Sequence, residues 1–141
     1  MTLNALLFCQ LEKHQIPLVN QFYKQTYKKG QANKSEQVFV AKDSTIKCAA
    51  RLKSVNGDLL LTGVACAEES RRQGIAYSLV THILRLQTQD IYCFPYPHLH
   101  TFYQQVGFID CAPDQLPEGL QAKYLRYHNR KPLLCMIKRI N

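Results

Sequence analysis

The sequence LLLTGVACAEESRRQGIAYSLVTHIL, residues 59–84, predicts a strand, a turn and a helix in succession. Residues 59–67 form an apolar run rich in small and β-branched side chains, which is typical of a buried strand. After a polar turn that contains Gly74, apolar residues recur with a helical period at Ile75, Leu79, Ile83 and Leu86. The unpaired N–H groups at such a helix start, together with the helix dipole, favour an anion such as phosphate. An ordinary connection between strand and helix is the alternative for a single glycine turn.

Two motifs and their order narrow this interpretation. Residues 71–76, RRQGIA, fit Gln/Arg-x-x-Gly-x-Gly/Ala, and they contain neither a Walker loop nor a GxGxxG dinucleotide motif. Residues 100–108, HTFYQQVGF, contain Phe-Tyr-x-x-x-Gly-Phe between a predicted helix and a predicted strand. Over residues 37–108 the chain therefore resembles the GNAT (N-acetyltransferase) superfamily, in which the first motif binds the pyrophosphate of acyl-CoA.

Length and composition are those of one globular domain. The chain has 141 residues, of which 46% are hydrophobic and 20% are charged, and we expect a single domain over residues 1–141. No apolar run reaches 18 residues, and residues 1–11 lack the basic start and cleavage site of a signal peptide. We expect a cytoplasmic protein without a membrane segment.

The chain is basic. Lys and Arg outnumber Asp and Glu by 18 to 10, which gives a net charge of +8. Such an excess favours nucleic acid, an anionic membrane or an anionic small ligand. The basic residues are dispersed and form no stripe with interleaved aromatic residues, which argues against nucleic acid. The phosphates of coenzyme A would account for several of the charges.

The six cysteines are predicted to be reduced and structural. They stand at Cys9, Cys48, Cys66, Cys93, Cys111 and Cys135. None forms a C-x-x-C pair, and each lies in an apolar or strand-like run, where free cysteine behaves as a small buried hydrophobe. We therefore expect no metal site.

The pattern along the chain predicts a mixed α/β fold. Strands are expected at residues 6–11, 37–41, 45–55, 58–67, 91–94, from 107 and at 133–140. Helices are expected at residues 13–29, as one helix or two short ones, and at residues 72–88, 98–105 and 120–127. Asn56-Gly57 is a strong hairpin signal. In the strand before it, Lys47, Arg51 and Lys53 are expected on a face open to solvent or to a ligand groove. This order matches the GNAT fold, a mixed, largely antiparallel central sheet with a βαβ acyl-CoA-binding core and flanking helices.

The resemblance implies acyl transfer from acetyl-CoA, usually to an amine. The main chain of Val64, Ala65 and Cys66 would pair with the pantetheine arm, and an N–H group near Cys66 would meet the developing oxyanion. The pyrophosphate would be held by backbone N–H groups in the segment formed by Arg71, Arg72, Gln73, Gly74, Ile75 and Ala76. Cys66 is not expected to act as a nucleophile.

An amine must lose a proton before it attacks, and this costs about 4.6 kcal/mol at pH 7 for a lysine-like group. Glu68 and Glu69 follow the strand that would carry the thioester and are candidate general bases. Acidic residues before a helix also complement its dipole, and His98 and His100 are alternatives.

Tyr103 stands at the motif position of the family's general acid, which protonates the CoA thiolate. A phenol with a pKa near 10 still carries its proton at pH 7. The family's asparagine one or two helical turns earlier is missing, and Tyr96-Pro97-His98 stands there instead.

The resemblance is compatible with more than one function and acceptor. A GNAT-fold module that binds acyl-CoA without turnover is the alternative to a transferase. The acceptor would be a small-molecule or peptide amine, contacted by residues 22–30 and 111–127, and the fold does not select among amines. A homodimer is compatible with the family.

Overall fold

The computed structural model describes residues 6–28 and 30–140, where seven strands and four α-helices are found. The strands are β1 (Leu7–Gln10), β2 (Gln37–Lys42), β3 (Ile46–Val55), β4 (Asp58–Cys66), β5 (Ile91–Cys93), β6 (Ile109–Asp110) and β7 (Met136–Lys138). The helices are α1 (Ile16–Thr26), α2 (Ile75–Arg85), α3 (His100–Gln105) and α4 (Glu118–Arg130). Short 3₁₀ turns lie at Lys13–Gln15, Glu68–Ser70, Pro97–Leu99 and Pro113–Gln115.

The strands form one sheet in the order β1-β2-β3-β4-β5-β7-β6. β4 and β5 are parallel and are connected through α2, whereas β1 pairs with β2, β2 with β3, β5 with β7 and β6 with β7 in antiparallel orientation. The predicted fold class, a mixed and mostly antiparallel sheet with one βαβ unit, is thereby confirmed.

Helix α2 is shorter than predicted at both ends. Arg72 and Gly74 have φ values of 66° and 77°, so neither residue is helical and α2 begins at Ile75. The helix ends at Arg85, and Leu86, expected on the buried stripe, is 57% exposed. The rest of the stripe is buried as the period predicts.

The described residues divide into two compact units. The first consists of the chain up to Lys53 together with Thr62–Leu86, and the second consists of Ser54–Leu61 together with the chain after Leu86. In the first, Val19 and Tyr23 of α1 pack among apolar side chains of β2 and β3 and are fully buried. The single domain over residues 1–141 stays a prediction.

In the second unit, α4 supplies the centre of the core. Leu120 is fully buried, and Tyr124 packs edge-on against Phe94 with ring centroids 5.2 Å apart. Leu60, Leu116 and Cys135 complete the cluster. The helix is longer than predicted, since Glu118 and Gly119 belong to its first turn and Arg130 to its last.

The prediction that Arg51 faces solvent or a ligand groove is wrong. The residue is only 7% exposed, and its guanidinium lies 3.6 Å from the carboxylate of Glu36 and 5.2 Å from the centre of the Tyr23 ring. Alternation along a strand cannot reveal this, because the partners that allow a buried arginine come from α1 and from the segment before β2.

The prediction of six reduced cysteines is also wrong. Cys48 of β3 and Cys66 of β4 form a disulfide, while Cys9, Cys93, Cys111 and Cys135 are free. The two partners are 18 residues apart in sequence and become neighbours only through strand pairing, which spacing alone does not show. Burial raises the pKa of the Cys93 thiol, and it raises the pKa of Cys135 to about 12.

Within residues 6–28 and 30–140, no helix combines the length and apolarity that crossing a bilayer requires. Lys29, at the end of the first predicted helix, lies outside the described residues. So do residues 1–5, which are part of the segment used to argue against a signal peptide.

Reduction of the disulfide is expected to lower the free energy of unfolding by about 3 kcal/mol, because the bond closes a short loop in the unfolded chain. Urea unfolding with and without a reductant measures this. Cys48→Ala should be insensitive to the reductant, and Cys9→Ala should respond like the parent. Thiol titration of the denatured, unreduced protein should give four groups, and a titre of six would contradict the bond.

Candidate functional site

The turn between β4 and α2 has two left-handed residues. After the 3₁₀ turn Glu68–Ser70, Arg72 has a φ of 66° and Gly74 a φ of 77°. Ser70 is buried, and its N–H donates to the carbonyl of Ala67 over 2.9 Å, which fixes the start of the turn. A left-handed arginine is uncommon and strained, and such strain concentrates at functional sites.

Gly74 leaves an open corner at the start of α2. Apart from Gly74 and its two chain neighbours, no atom lies within 4 Å of the position that a Cβ would occupy there, and glycine has no side chain to cap the helix. The N–H of Ser78 donates to the Gly74 carbonyl over 3.1 Å. The N–H groups that precede Ser78, among them those of Gly74, Ile75 and Ala76, therefore belong to the helix end that lacks internal acceptors, and they can bind an anion.

Positive charge is held beside this corner. Arg71, Arg72 and Gln73 are exposed. The Nε of Arg71 donates to the carbonyl of Cys66 over 3.2 Å, and the Nε2 of Gln73 donates to the carbonyl of Glu69 over 3.2 Å. The first contact ties a guanidinium to the last residue of β4, where sequence analysis predicts the thioester arm.

The end of β4 is partly exposed. Val64, Ala65 and Cys66 are each intermediate in burial. The sulfur of Cys66 is engaged with Cys48, so it is not a free thiol in this state. The backbone of these residues, rather than any side-chain nucleophile, is the chemical resource of the segment.

Glu68 and Glu69 are exposed within the 3₁₀ turn that follows β4. Among the described ion pairs, neither carboxylate has a basic partner. Both glutamates are close in sequence to the end of β4 and to the first turn of α2. This position suits either a proton acceptor near the thioester or a negative charge that complements the helix dipole.

Tyr103 lies on α3 in the second unit and is 7% exposed. Its ring meets Phe102 and Phe108 edge-on, with centroids 5.0 Å and 5.7 Å away. The Phe108 N–H donates to the Tyr103 carbonyl over 2.9 Å, and Gly107, with a φ of 106°, makes the turn into β6. The Phe-Tyr-x-x-x-Gly-Phe motif thus folds as a helix, a glycine turn and a strand.

The second unit also contains an open cavity of about 560 Å³. At its wall, Nε2 of His100 lies 2.8 Å from a carboxylate oxygen of Asp110. The other lining residues are Pro97, Cys111, Pro113, Tyr124, Leu133, Leu134 and Cys135. The cavity combines apolar walls with a histidine whose ring is oriented by a carboxylate.

The predicted residues thus fall into two groups. The first unit holds the β4 end, Glu68, Glu69 and the segment from Arg71 to Ala76, and the second holds Tyr103. Within the described ranges, no group of three or more His, Cys, Asp or Glu side chains could hold a metal ion. The contacts of Arg51 were not predicted from the sequence. The feature that could have indicated a buried arginine is its position as a single arginine among small apolar residues.

The sequence was compared with models of known protein families and with curated proteins. The sequence model of the acetyltransferase (GNAT) domain matches residues 34–110. A search of curated proteins found no match.

Several solved structures of acetyltransferases are similar to this chain. N-acetylglutamate synthase from Neisseria gonorrhoeae, crystallised with coenzyme A and N-acetyl-glutamate, has a TM-score of 0.73 and 15% identity, covering 96% of this chain and 35% of its own. The ribosomal-protein-S18-alanine N-acetyltransferase from Escherichia coli has a TM-score of 0.70 and 12% identity, covering 96% and 94%. Spermidine/spermine N-acetyltransferase from Vibrio cholerae has a TM-score of 0.65 and 14% identity, covering 98% and 94%.

At these identities the structures show the fold alone, and the chain spans about a third of the length of the synthase. The family model covers more than half of the chain, including the turn before α2 and the motif around Tyr103. The protein therefore belongs to the GNAT acetyltransferase family.

Proposed function

We propose that this protein transfers an acetyl group from acetyl-CoA to an amine. The observation that carries the proposal is the open left-handed turn at Gly74, which begins α2 beside two exposed arginines. Unpaired helix N–H groups with nearby guanidinium groups suit a pyrophosphate. Family membership supports the same chemistry.

The chain's own residues fit acetyl-CoA. Backbone N–H groups of Gly74, Ile75 and Ala76 would hold the pyrophosphate, since nothing occupies the space beside Gly74. The backbone of residues 64–66, which are intermediate in burial, would pair with the pantetheine arm. Acetyl-CoA, when bound, supplies the activated thioester, and no metal chemistry is needed in the proposal.

Tyr103 is proposed as the general acid. Its hydroxyl would donate a proton to the sulfur of the leaving thiolate, as the family motif implies. The edge-on contacts with Phe102 and Phe108 restrict the ring to one orientation, which favours a positioned proton donor over a freely rotating one.

Glu68 and Glu69 are proposed as the candidates for the general base, and His100 is the alternative. Both carboxylates follow the β4 end directly and are exposed to an incoming amine. His100 has a different advantage. When Nε2–H is donated to Asp110, Nδ1 is left as a proton acceptor.

The acceptor is proposed to be a small-molecule or peptide amine that enters the cavity lined by His100 and Tyr124. The cavity includes residues of the late loop, 111–127, where sequence analysis expects acceptor contacts. The similar structures are a synthase bound to N-acetyl-glutamate, an N-acetyltransferase for an alanine of a ribosomal protein, and an N-acetyltransferase for spermidine or spermine. What these proteins share is acetylation of a nitrogen, so an amine acceptor is as far as the proposal extends.

The transferase proposal predicts that acetyl-CoA is consumed when the protein is screened against pooled amines, with free CoA as the readout. Tyr103→Phe should lower kcat at least about 100-fold, the usual effect of losing a general acid. Tyr92→Phe removes a phenol from β5 and should leave turnover unchanged. Full activity of Tyr103→Phe would remove it as the acid, and acetyl-CoA binding without turnover of any amine would favour the non-catalytic module.

The base is identified by pH profiles of kcat/KM, whose acid limb reports the base of the free enzyme. We expect that one of Glu68→Gln and Glu69→Gln lowers kcat about 100-fold and removes the acid limb. The other should behave like the parent, as should His100→Gln. A loss confined to His100→Gln would assign the base to the His100–Asp110 pair instead.

The phosphate site is tested by substitution at Gly74. Gly74→Glu places a carboxylate in the open corner, and calorimetry should show acetyl-CoA affinity reduced at least about 100-fold by charge repulsion and lost access. Gly57→Glu is a matched control, because Gly57 also has a positive φ (89°) and open space around it. Parent-like affinity in Gly74→Glu would mean that the phosphate binds elsewhere.

A further inference from the structure

Strand β4 contains one residue more than its partner β3 requires. In an unbroken hairpin from the turn at residues 56–57, Cys48 would face Ala65, but the disulfide joins it to Cys66. Gly63 has a φ of 65°, which ordinary strand residues do not adopt. The extra residue is therefore a β-bulge at Gly63, and a bulge changes the direction of the residues that follow it.

A hydroxyl group from α1 holds the bulge. The Tyr23 OH donates to the carbonyl of Gly63 over 2.6 Å, and Tyr23 is fully buried. Burial raises the pKa of this phenol well above its usual value, although the nearby Arg51 guanidinium opposes the shift. The hydroxyl therefore keeps its proton, and the hydrogen bond persists across the physiological pH range.

Arg51 fills the space on the side-chain side of Gly63. A Cβ built on Gly63 would lie 2.7 Å from the Nε of Arg51, so only glycine fits. The arginine is held by a hydrogen bond to the carbonyl of Gln31, by the Glu36 carboxylate 3.6 Å away and by the Tyr23 ring. Its Nε is buried without a hydrogen-bond partner among the described residues, so packing against the bulge takes precedence over full hydrogen bonding.

The bulge directly precedes Val64, Ala65 and Cys66. The direction of their N–H and C=O groups depends on the conformation of residue 63, because peptide groups alternate along a strand. We propose that Tyr23 is a positioning residue, whose hydrogen bond to Gly63 directs the backbone of residues 64–66 toward the pantetheine arm of acetyl-CoA. This inference rests on the proposed function.

The experiment compares two probes, coenzyme A and 3′-phosphoadenosine 5′-diphosphate, which has the phosphates of coenzyme A without its arm. In Tyr23→Phe we expect the Kd of coenzyme A to rise about tenfold, because its arm meets a misdirected strand. The Kd of the phosphate fragment should change less than about twofold. Calorimetry gives both values on the full chain.

Asn20→Ala is the matched control. Asn20 lies one helical turn before Tyr23 on α1 and makes two hydrogen bonds to the backbone of Ala32, over 3.0 Å and 2.7 Å. Its loss should lower stability without changing the ratio of the two affinities. A general loss of stability would weaken both probes together, and only misdirection of the strand weakens coenzyme A alone.

The outcomes separate the two proposals. A parent protein that binds neither probe contradicts the proposed function. In a second outcome, the parent binds coenzyme A more tightly than the fragment while Tyr23→Phe binds coenzyme A as tightly as the parent does. That result overturns the positioning role of Tyr23 alone. Equal binding of the two probes by the parent also overturns it, since the arm then contributes nothing. If Tyr23→Phe does not fold in buffer alone, the same ratio is measured for it in trimethylamine N-oxide, which favours the folded state.

Discussion

The left-handed backbone between β4 and α2 is the constraint on which the site depends. A helix placed directly after a strand would continue with right-handed residues, and its first N–H groups would lie wherever the strand happened to end. Positive φ values at Arg72 and Gly74 instead set the helix start at Ile75 and leave the corner open. The absence of a side chain at Gly74 matters as much as its φ, because a capping side chain would compete with an anion for the same donors.

The first unit protects this geometry with buried charge. Arg51 and Glu36 have side chains only 9% and 3% exposed, and an ion pair so deeply buried loses much of its attraction to desolvation. A pair of this kind adds little net stability, but it is hard to rearrange, since removing one partner leaves a buried charge without compensation. The rigid element that results lies against Gly63 and fixes the strand that leads to the turn.

Sequence patterns predicted what local chemistry determines. The apolar period of α2, the Asn56-Gly57 hairpin and the glycine turn after Tyr103 each depend on residues close in sequence, and each is found. The errors have non-local causes. Cys48 meets Cys66 through strand pairing, and Arg51 is buried because its partners lie outside its own strand.

The segment before α3, which lacks the family's asparagine, contains a cluster of aromatic and cationic side chains. Tyr96 and His98 are stacked, with centroids 6.0 Å apart and planes 8° from parallel, and the ammonium of Lys131 lies 4.5 Å from the centre of the Tyr96 ring. Lys131 directly follows α4, so this cation–π contact ties the end of that helix to the segment before α3. Leu134 strengthens the same link, because its N–H donates to the carbonyl of Pro95 over 2.8 Å. Together these contacts order the loop from which α3 begins.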